Sequence, residues 1–408
     1  MTTLISTPAL APPTVALEVP VVPPKPYTLI VVSHLGWDWV WQRPQHLLSR
    51  MARRHPVLFV PEPWITEVSH PPVLNIEPRP GNVTLAWPVF SQAQADAAGG
   101  PYELIGRLIS DRIKGEGLQN PVFWLYTPMA APVLEGHDDA VVVFDAMDEL
   151  AAFKFAPAEL RAREEAVMRR ADLVFTGGQS LYEARKNRNP HVFCFPSGVE
   201  RAHFAKALDP ALPEAPAIAD LPHPRIGYYG VIDERLDLDL LRDVAALRPN
   251  YEWVMVGPTV KIDPTVVPQA TNLHYPGKQE YADLPTFLKG FDVCMMPFAL
   301  NESTRFISPT KTLEYMAAHK PIVSTPIKDV VGSYSHIVAI ADTAEAFVAA
   351  VDAALHETKA QVAARRAAEE AVLATYEWDN IASEMLGLID ACQLAQQETT
   401  AAAAPARA

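Results

Sequence analysis

The sequence predicts an α/β protein built from two Rossmann-like halves that face each other across a cleft. Short β-branched apolar runs alternate with helical spacing from Tyr27 to Cys194, and the alternation restarts at Arg225. Between the two series lies a stretch without periodicity, residues 207–224 (ALDPALPEAPAIADLPHP), which reads as a linker. The second series contains a compact strand–loop–helix–strand unit. It runs from Val293-Cys294-Met295-Met296-Pro297 through SPTKTLEYMAAHKPIVST, residues 308–325. At 408 residues the chain is too long for one ordinary core, so two domains are expected.

Taken in order, residues 1–26 are rich in proline and read as a disordered or extended leader. Residues 27–206 form the first half. Tyr27 to Val32 is its first strand, and a loop with His34, Gly36, Trp37, Asp38, Trp39 and Trp41 follows. RPQHLLSRMARR has helical spacing, Val57 to Val60 is a second strand, and PVFWLY and VVVF are further strands. Leu160 to Arg170 is amphipathic. Leu173 to Phe175 is a strand, Gly177-Gly178 a turn and Ser180 a helix cap, with another strand at 192–195. Residues 225–375 form the second half, with strands at Arg225–Tyr229, Tyr251–Val256 and 272–275 and a helix at 236–247. A helix over residues 376–394 is expected to pack back on the first half, and the Ala-rich residues 395–408 to fray.

Composition narrows the function. Net charge is −14, which disfavours a general nucleic-acid binder. Cys194, Cys294 and Cys392 are scattered without CxxC spacing, so a reducing compartment is expected rather than a disulfide or zinc framework. The histidines show no metal-binding spacing, and no metal and no cofactor are expected. No apolar run reaches the roughly 18–20 residues of a membrane span, and no secretory signal is visible, so a cytoplasmic protein is expected. Basic clusters at Arg50, Arg53 and Arg54, at Arg161, Arg163, Arg169 and Arg170, and at Arg185, Lys186 and Arg188 could meet an anionic lipid surface, or be solvated helix faces.

The segment 308–325 carries the chemistry. Ligands of parallel sheets bind at the carboxyl ends of strands. There, Thr310 can cap the short helix, Lys311 adds a positive charge, and Glu314 one turn in can meet hydroxyls. An anion binder beside a hydroxyl acceptor suggests a nucleotide sugar. The plain alternative is a solvated first turn with an ordinary cap.

Several segments together resemble the GT-B glycosyltransferases of the group 1, family four type. FPSGVERAHF (Phe195–Phe204) resembles the family's hinge-region phrase, and ADLVFTGGQSLYEA (Ala171–Ala184) the strand and helix before it. GYYGVIDERLDLDLL (Gly227–Leu241) resembles the start of the donor domain, and SPTKTLEYMAAHKPIVST the donor-site segment. GWDWVWQRPQHLLSRMA (Gly36–Ala52) looks like a bacterial subgroup of these enzymes.

The resemblance implies roles. Glu314 matches the carboxylate that holds the donor ribose. Thr310 and Lys311 fall where the diphosphate lies, and Pro309 and Gly230 are expected at the nucleotide-sugar donor site. The family's early Arg and Lys are replaced by Val231 and Leu236, which leaves Arg235 as the nearest cation, with Lys278 as a helper. A second Glu, eight residues before the ribose Glu, is replaced by Phe306. Gly36, Trp37, Arg43, Gly177 and Gly178 are expected on the acceptor side. Asp145 and Asp148 of DAMDE stand where retaining relatives keep a sugar-contacting His, or else are acids of a helix start. His34 stands where inverting GT-B enzymes keep a general base, or is structural. Asp237 and Asp239 read as acids of a helix N-terminus rather than a DxD metal motif.

The function so implied is metal-independent transfer, with retention, of a sugar from a nucleotide diphosphate sugar to a hydroxyl on a saccharide or lipid-linked acceptor. Domain closure would exclude water. Two alternatives keep the fold: a nucleotide-sugar epimerase, and a non-catalytic nucleotide-sugar or polysaccharide binder.

Overall fold

The computed structural model describes residues 25–39, 41–153 and 156–403; the leader expected over 1–26 falls almost wholly outside the described residues. The chain divides into two units. The first holds the chain up to Phe195 and from Asp379 onward, and the second holds Pro196–Trp378.

The first unit is built from β1 (Leu29–Val32), α1 (Arg43–Met51), β2 (Val57–Val60), β3 (Trp64–Ile65), β4 (Val73–Arg79), β5 (Val83–Phe90), α2 (Gln92–Ala98), α3 (Pro101–Glu116), β6 (Val122–Leu125), β7 (Val141–Ala146), α4 (Leu160–Arg170), β8 (Leu173–Thr176), α5 (Gln179–Arg185) and β9 (Val192–Cys194). Its sheet runs β3-β5-β2-β1-β6-β7-β8-β9. Every pairing is parallel except that of β4 with β5. Strands β1, β2, β6, β7 and β8 are buried at every residue, as parallel strands covered on both faces must be.

Residues 61–120, to which the sequence pattern assigns no element, form β3 to α3. Gly81 and Asn82, both with positive φ, turn β4 back onto β5. Ser91 and Gln94 form a capping box that starts α2, Gly99 ends it in the left-handed region, and Pro101 opens α3.

The second unit holds α6 (Arg201–Phe204), β10 (Arg225–Tyr229), α7 (Leu238–Leu247), β11 (Glu252–Val256), β12 (Leu273–Gly277), α8 (Leu284–Gly290), β13 (Val293–Met296), α9 (Lys311–Ala317), β14 (Ile322–Ser324), α10 (Lys328–Tyr334), β15 (Ala339–Ile340), α11 (Ala344–Leu355) and α12 (Lys359–Leu373). Its parallel sheet runs β12-β11-β10-β13-β14-β15. This order reverses direction between β10 and β13, and ligands of open α/β sheets sit at the carboxyl ends of strands at such a switch. In the first unit the same reversal falls between β1 and β6.

Two boundary expectations need correction. The segment 207–224 is not a free linker but packs inside the second unit. Ala215 and Ile218 are buried in its core, the Ala215 N–H donates to the Thr286 carbonyl at 3.1 Å, and Lys289 Nζ donates to the Asp209 carbonyl at 2.6 Å. The buried Arg225 gathers the end of the segment through Glu214 (2.6 Å) and the Leu221 and Ala219 carbonyls. Two small or aliphatic side chains in a Pro-rich run were enough to bury it. The chain passes from the first unit to the second at Phe195–Pro196 instead, and α13 (Trp378–Ala403) belongs to the first unit from Asp379 onward.

The tail also differs, since the helix runs through residues 395–403 instead of fraying at 395. In the first unit α13 is held by Asp379, paired with Arg50 (3.0 Å) and Arg53 (2.8 Å). Asp390 accepts from the buried Tyr27 hydroxyl (2.8 Å) and pairs with Arg54 (3.0 Å).

The cap assigned to Ser180 belongs to Gly178; Ser180 lies inside α5 and is buried. Asp237 caps α7 by accepting the Leu240 N–H at 2.9 Å, while Asp239 pairs with Arg242 on the surface. Among the described residues no group of three or more His, Cys, Asp or Glu could hold a metal ion, and no helix is long and apolar enough to cross a membrane.

Candidate active site

In the second unit the reversal between β10 and β13 is framed by two loops that pair with each other. The Asp237 N–H donates to the Pro297 carbonyl (2.9 Å), the Ala299 N–H to the Arg235 carbonyl (2.8 Å), and Asn301 Nδ2 to the Glu234 carbonyl (3.0 Å). The β10 loop therefore holds Arg235 beside the chain that leaves β13. Asp233 fixes the guanidinium by bidentate contacts of 3.0 and 2.8 Å. Sequence reasoning chose Arg235 and missed Asp233, whose signal was an acid two residues before the cation in IDER.

The second cation, Lys311, opens α9 and lies 5.5 Å over the Tyr228 ring. No carboxylate among the described residues is within ion-pair distance of it. Burial pushes its ammonium down from the ordinary lysine range, Glu314 opposing this and Arg235 adding to it. Glu314 follows one turn later on the same face. Burial raises its carboxyl above the usual range, and Lys311 counters part of the shift. The phenol of Tyr229 is pushed well up by burial first and by the Glu314 charge second. A cation and a carboxylate thus lie half-sequestered together at the carboxyl edge of the sheet.

Gly230 makes the arrangement sterically feasible. It ends β10 with φ +145°, and a Cβ there would stand 2.5 Å from Lys311 Cε and 2.7 Å from the Tyr228 hydroxyl. Gly230→Ala is therefore expected to displace Lys311 and weaken anion binding tenfold or more by order of magnitude, the loss of one charge-assisted contact. Titration with a nucleoside diphosphate checks this; unchanged affinity would mean that Lys311 does not hold the ligand.

The remaining donor-side residues are placed as follows. Thr310 is already helical and makes no side-chain cap, which corrects the capping role expected of it. Pro309 accepts the Thr312 N–H at 3.2 Å. Lys278 is exposed directly after Gly277, whose carbonyl accepts the Gly257 N–H at 3.0 Å; it stands at the same sheet edge but two strands from β10. In the loop before α9, Arg305 lies 5.3 Å over the Phe306 ring, where the resemblance led one to look for a carboxylate.

The first unit rearranges its candidates more. Asp145, at the end of β7, is fully buried and clamped by Arg43, with Nε 3.0–3.1 Å from its oxygens and Nη2 2.9 Å from Oδ1. Arg43 Nη1 donates onward to the Phe195 carbonyl at 2.7 Å. Burial pushes the Asp145 carboxyl up and the guanidinium pulls it back down. Two expectations change here. Asp145 is buried in an ion pair rather than facing an open cleft, and all three Arg43 nitrogens are taken, by Asp145 and the Phe195 carbonyl.

Asp148 lies half-buried in the loop after β7, and His34 half-buried at the bend after β1. Gly177 is buried against the Met147 backbone, where a Cβ would meet the Met147 carbonyl at 2.9 Å. Its small size serves chain packing, and Gly178 starts α5 in extended backbone. Trp37 is buried edge-to-face on Phe59 at 5.2 Å, and the carbonyls of Trp37 and Gly36 accept from Gln45 Nε2.

Many of the cations in the basic clusters are spent on partners. Arg163 pairs with Glu103, Arg170 holds three carbonyls and Asp172, Arg185 meets Glu149 and Glu164, and Arg188 meets Glu164 and Glu165.

Two Rossmann-like units, with the cation–carboxylate site at the switch point of the second, are the two-domain α/β fold of GT-B architecture. Residues 223–357, which span that site, match the family described as glycosyl transferases group 1. A candidate teichuronic acid biosynthesis glycosyltransferase of Bacillus subtilis is 24% identical over 103 residues. That match spans 24% of this chain and 26% of the relative, about a quarter of each.

Among solved structures, the Escherichia coli trehalose-6-phosphate protein bound with UDP-2-fluoro glucose aligns with a TM-score of 0.67 at 15% identity, covering 89% of this chain and 99% of that one. A Burkholderia xenovorans UDP-forming α,α-trehalose-phosphate synthase in complex with glucose-6-phosphate aligns with a TM-score of 0.66 at 14% identity, covering 88% and 99%. At these identities the likeness is one of fold.

Proposed function

We propose that this protein transfers a sugar from a nucleotide diphosphate sugar to a hydroxyl of a saccharide or lipid-linked acceptor. The observation that carries the reading is the pair Lys311 and Glu314. An ammonium without an ion-pair partner among the described residues and a half-sequestered carboxylate share the switch-point edge, with Gly230 leaving them room. Lys311 and Arg235 would neutralise the diphosphate as the leaving group departs, and Glu314 would accept from the ribose hydroxyls. The α,α-trehalose-phosphate synthase relative takes a sugar phosphate, and the Escherichia coli protein a UDP-sugar analogue, which supports a nucleotide-sugar donor and a saccharide acceptor here.

With two cations at the leaving group, a divalent metal is not required, and transfer is expected to survive chelation. Retention at the anomeric carbon follows the group 1 resemblance. The basic clusters give little support to peripheral membrane contact, since many of their charges are paired.

Nucleoside diphosphate release from a panel of nucleotide sugars, with and without saccharide acceptors and with and without EDTA, tests the proposal. Acceptor-dependent release that persists in EDTA is the expected result. An isomerised donor without acceptor would point to an epimerase, and donor binding without release to a binding protein.

Donor affinity also has a predicted pH profile. Glu314 has its carboxyl raised, so it gains a proton, and loses its acceptor strength, at a pH above the usual carboxylate range. Lys311 has its ammonium lowered, so its charge is lost below the usual lysine range. Affinity should therefore fall on both sides of neutrality, over a narrower window than for exposed groups. Calorimetric titration across pH measures it, and Glu314→Gln should flatten the acid limb.

A further inference from the structure

Five of the eight tryptophans in the chain fall within residues 37–87, and the strand register brings several of them to one face. Phe59 pairs with Leu85, and Phe59 carries the Trp37 ring, so the loop after β1 lies on this face of the sheet. Side chains alternate along a strand, so Trp87 and Val89 share the face with Leu85. Trp64 pairs with Val89, and on the other edge of β5 Asn75, Glu77 and Arg79 pair with Trp87, Leu85 and Val83. All of these point the same way as their partners.

The loop after β1 closes over this face, since Arg79 Nη2 is 2.7 Å from Asp38 and 3.0 Å from Glu77. Trp41 stiffens that loop edge-to-face on Trp37 and donates to His46 Nδ1 at 3.1 Å. Trp64, 69% exposed, and the half-buried Trp87 share this face, and Trp39, two residues beyond Trp37 in the loop that closes over it, is 56% exposed. Both exposed rings follow the carboxyl ends of parallel strands.

We propose that Trp39, Trp64 and Trp87, with Asp38 and Glu77 held by Arg79, form a platform for a neutral hexose oligosaccharide, an extended part of the acceptor. A pyranose has an apolar C–H face and a rim of hydroxyls. Flat indoles match the face, and the two half-exposed carboxylates, each with oxygen capacity beyond Arg79, accept from the rim. The acids argue against the other occupant of an aromatic surface, a lipid bilayer. They would be repelled by anionic headgroups and would resist entering hydrocarbon. They argue equally against an acidic glycan. This inference deepens the acceptor side of the glycosyltransferase reading, but its test does not depend on transfer.

The test measures binding of maltoheptaose, cellohexaose and mannohexaose to the full chain, alongside sedimentation with vesicles of phosphatidylcholine and phosphatidylglycerol. At least one oligosaccharide should bind. Trp64→Ala and Trp39→Ala should each weaken that binding about five- to tenfold, the range of one aromatic contact, without loss of nucleotide-sugar affinity. Trp39→Phe should recover part of it. Glu77→Gln, which keeps the aromatic rings, should also weaken it. Melting temperatures unchanged by these exposed substitutions separate lost binding from lost folding.

The platform is overturned if none of the three oligosaccharides binds, if the variants bind as tightly as the native chain, or if only vesicles bind. Any of these results leaves the donor site standing, because that site is read separately by nucleotide-sugar titration.

Discussion

Asp145→Ala is expected to destabilise the first unit by about 3–5 kcal/mol, the cost of leaving a buried charge without its partner. Arg43 is 3% exposed, and two of its three nitrogens spend their hydrogen bonds on Asp145. Only Nη1, bound to the Phe195 carbonyl, keeps a partner after the substitution. Urea unfolding, followed by a probe in the first unit, measures the loss. Replacing both residues, Arg43→Met with Asp145→Leu, should recover most of it, since removing both charges also removes their desolvation cost. Asp145→Asn separates this role from a chemical one. A positioning residue loses stability and turnover together, whereas a reacting carboxylate loses turnover in a chain that melts normally. The second pattern would restore Asp145 to the catalytic set.

Glu314→Ala is expected to weaken nucleotide-sugar binding by roughly 10- to 150-fold, equivalent to about 1.5–3 kcal/mol for hydrogen bonds to a charged group. The carboxylate is half-sequestered near Lys311, so its removal has a second effect. Lys311 loses the charge that opposes its deprotonation, and its ammonium should fall further below the ordinary lysine range. The alkaline limb of the affinity profile should therefore move to lower pH in the variant. Calorimetry at two pH values separates the effects: a loss uniform with pH means Glu314 acts only by its hydrogen bonds. Affinity equal to the native chain would remove Glu314 from the donor site altogether.

The donor half was readable from sequence because its signals are local. Gly230, Arg235, Lys311 and Glu314 lie on short loops and one helical turn next to strands that announce themselves by β-branched runs. They follow the carboxyl ends of strands, where ligands of open α/β sheets bind. The acceptor half was less readable because its decisive partners are remote. Arg43 and Asp145 are 102 residues apart, and nothing near either marks the other. The β4–β5 hairpin was invisible for a related reason. Pro78 and Pro88 interrupt its apolar pattern, and only the antiparallel pairing of β4 with β5 shows that they sit within strands.

The segment 207–224 shows the limit of composition. Proline and alanine mark a run with no periodicity, but Ala215 and Ile218 find a place beside Gly290, where a Cβ would meet Ile218 at 2.8 Å. Local pattern determined the two series of strands and helices, and with them the fold class, because backbone preference and hydrophobic period act over a few residues. Three-dimensional packing determined which charges are buried in pairs, which segments are truly exposed, and which tryptophans share a face. Those properties depend on partners tens to hundreds of residues away, and burial fixes them only once the sheets have formed.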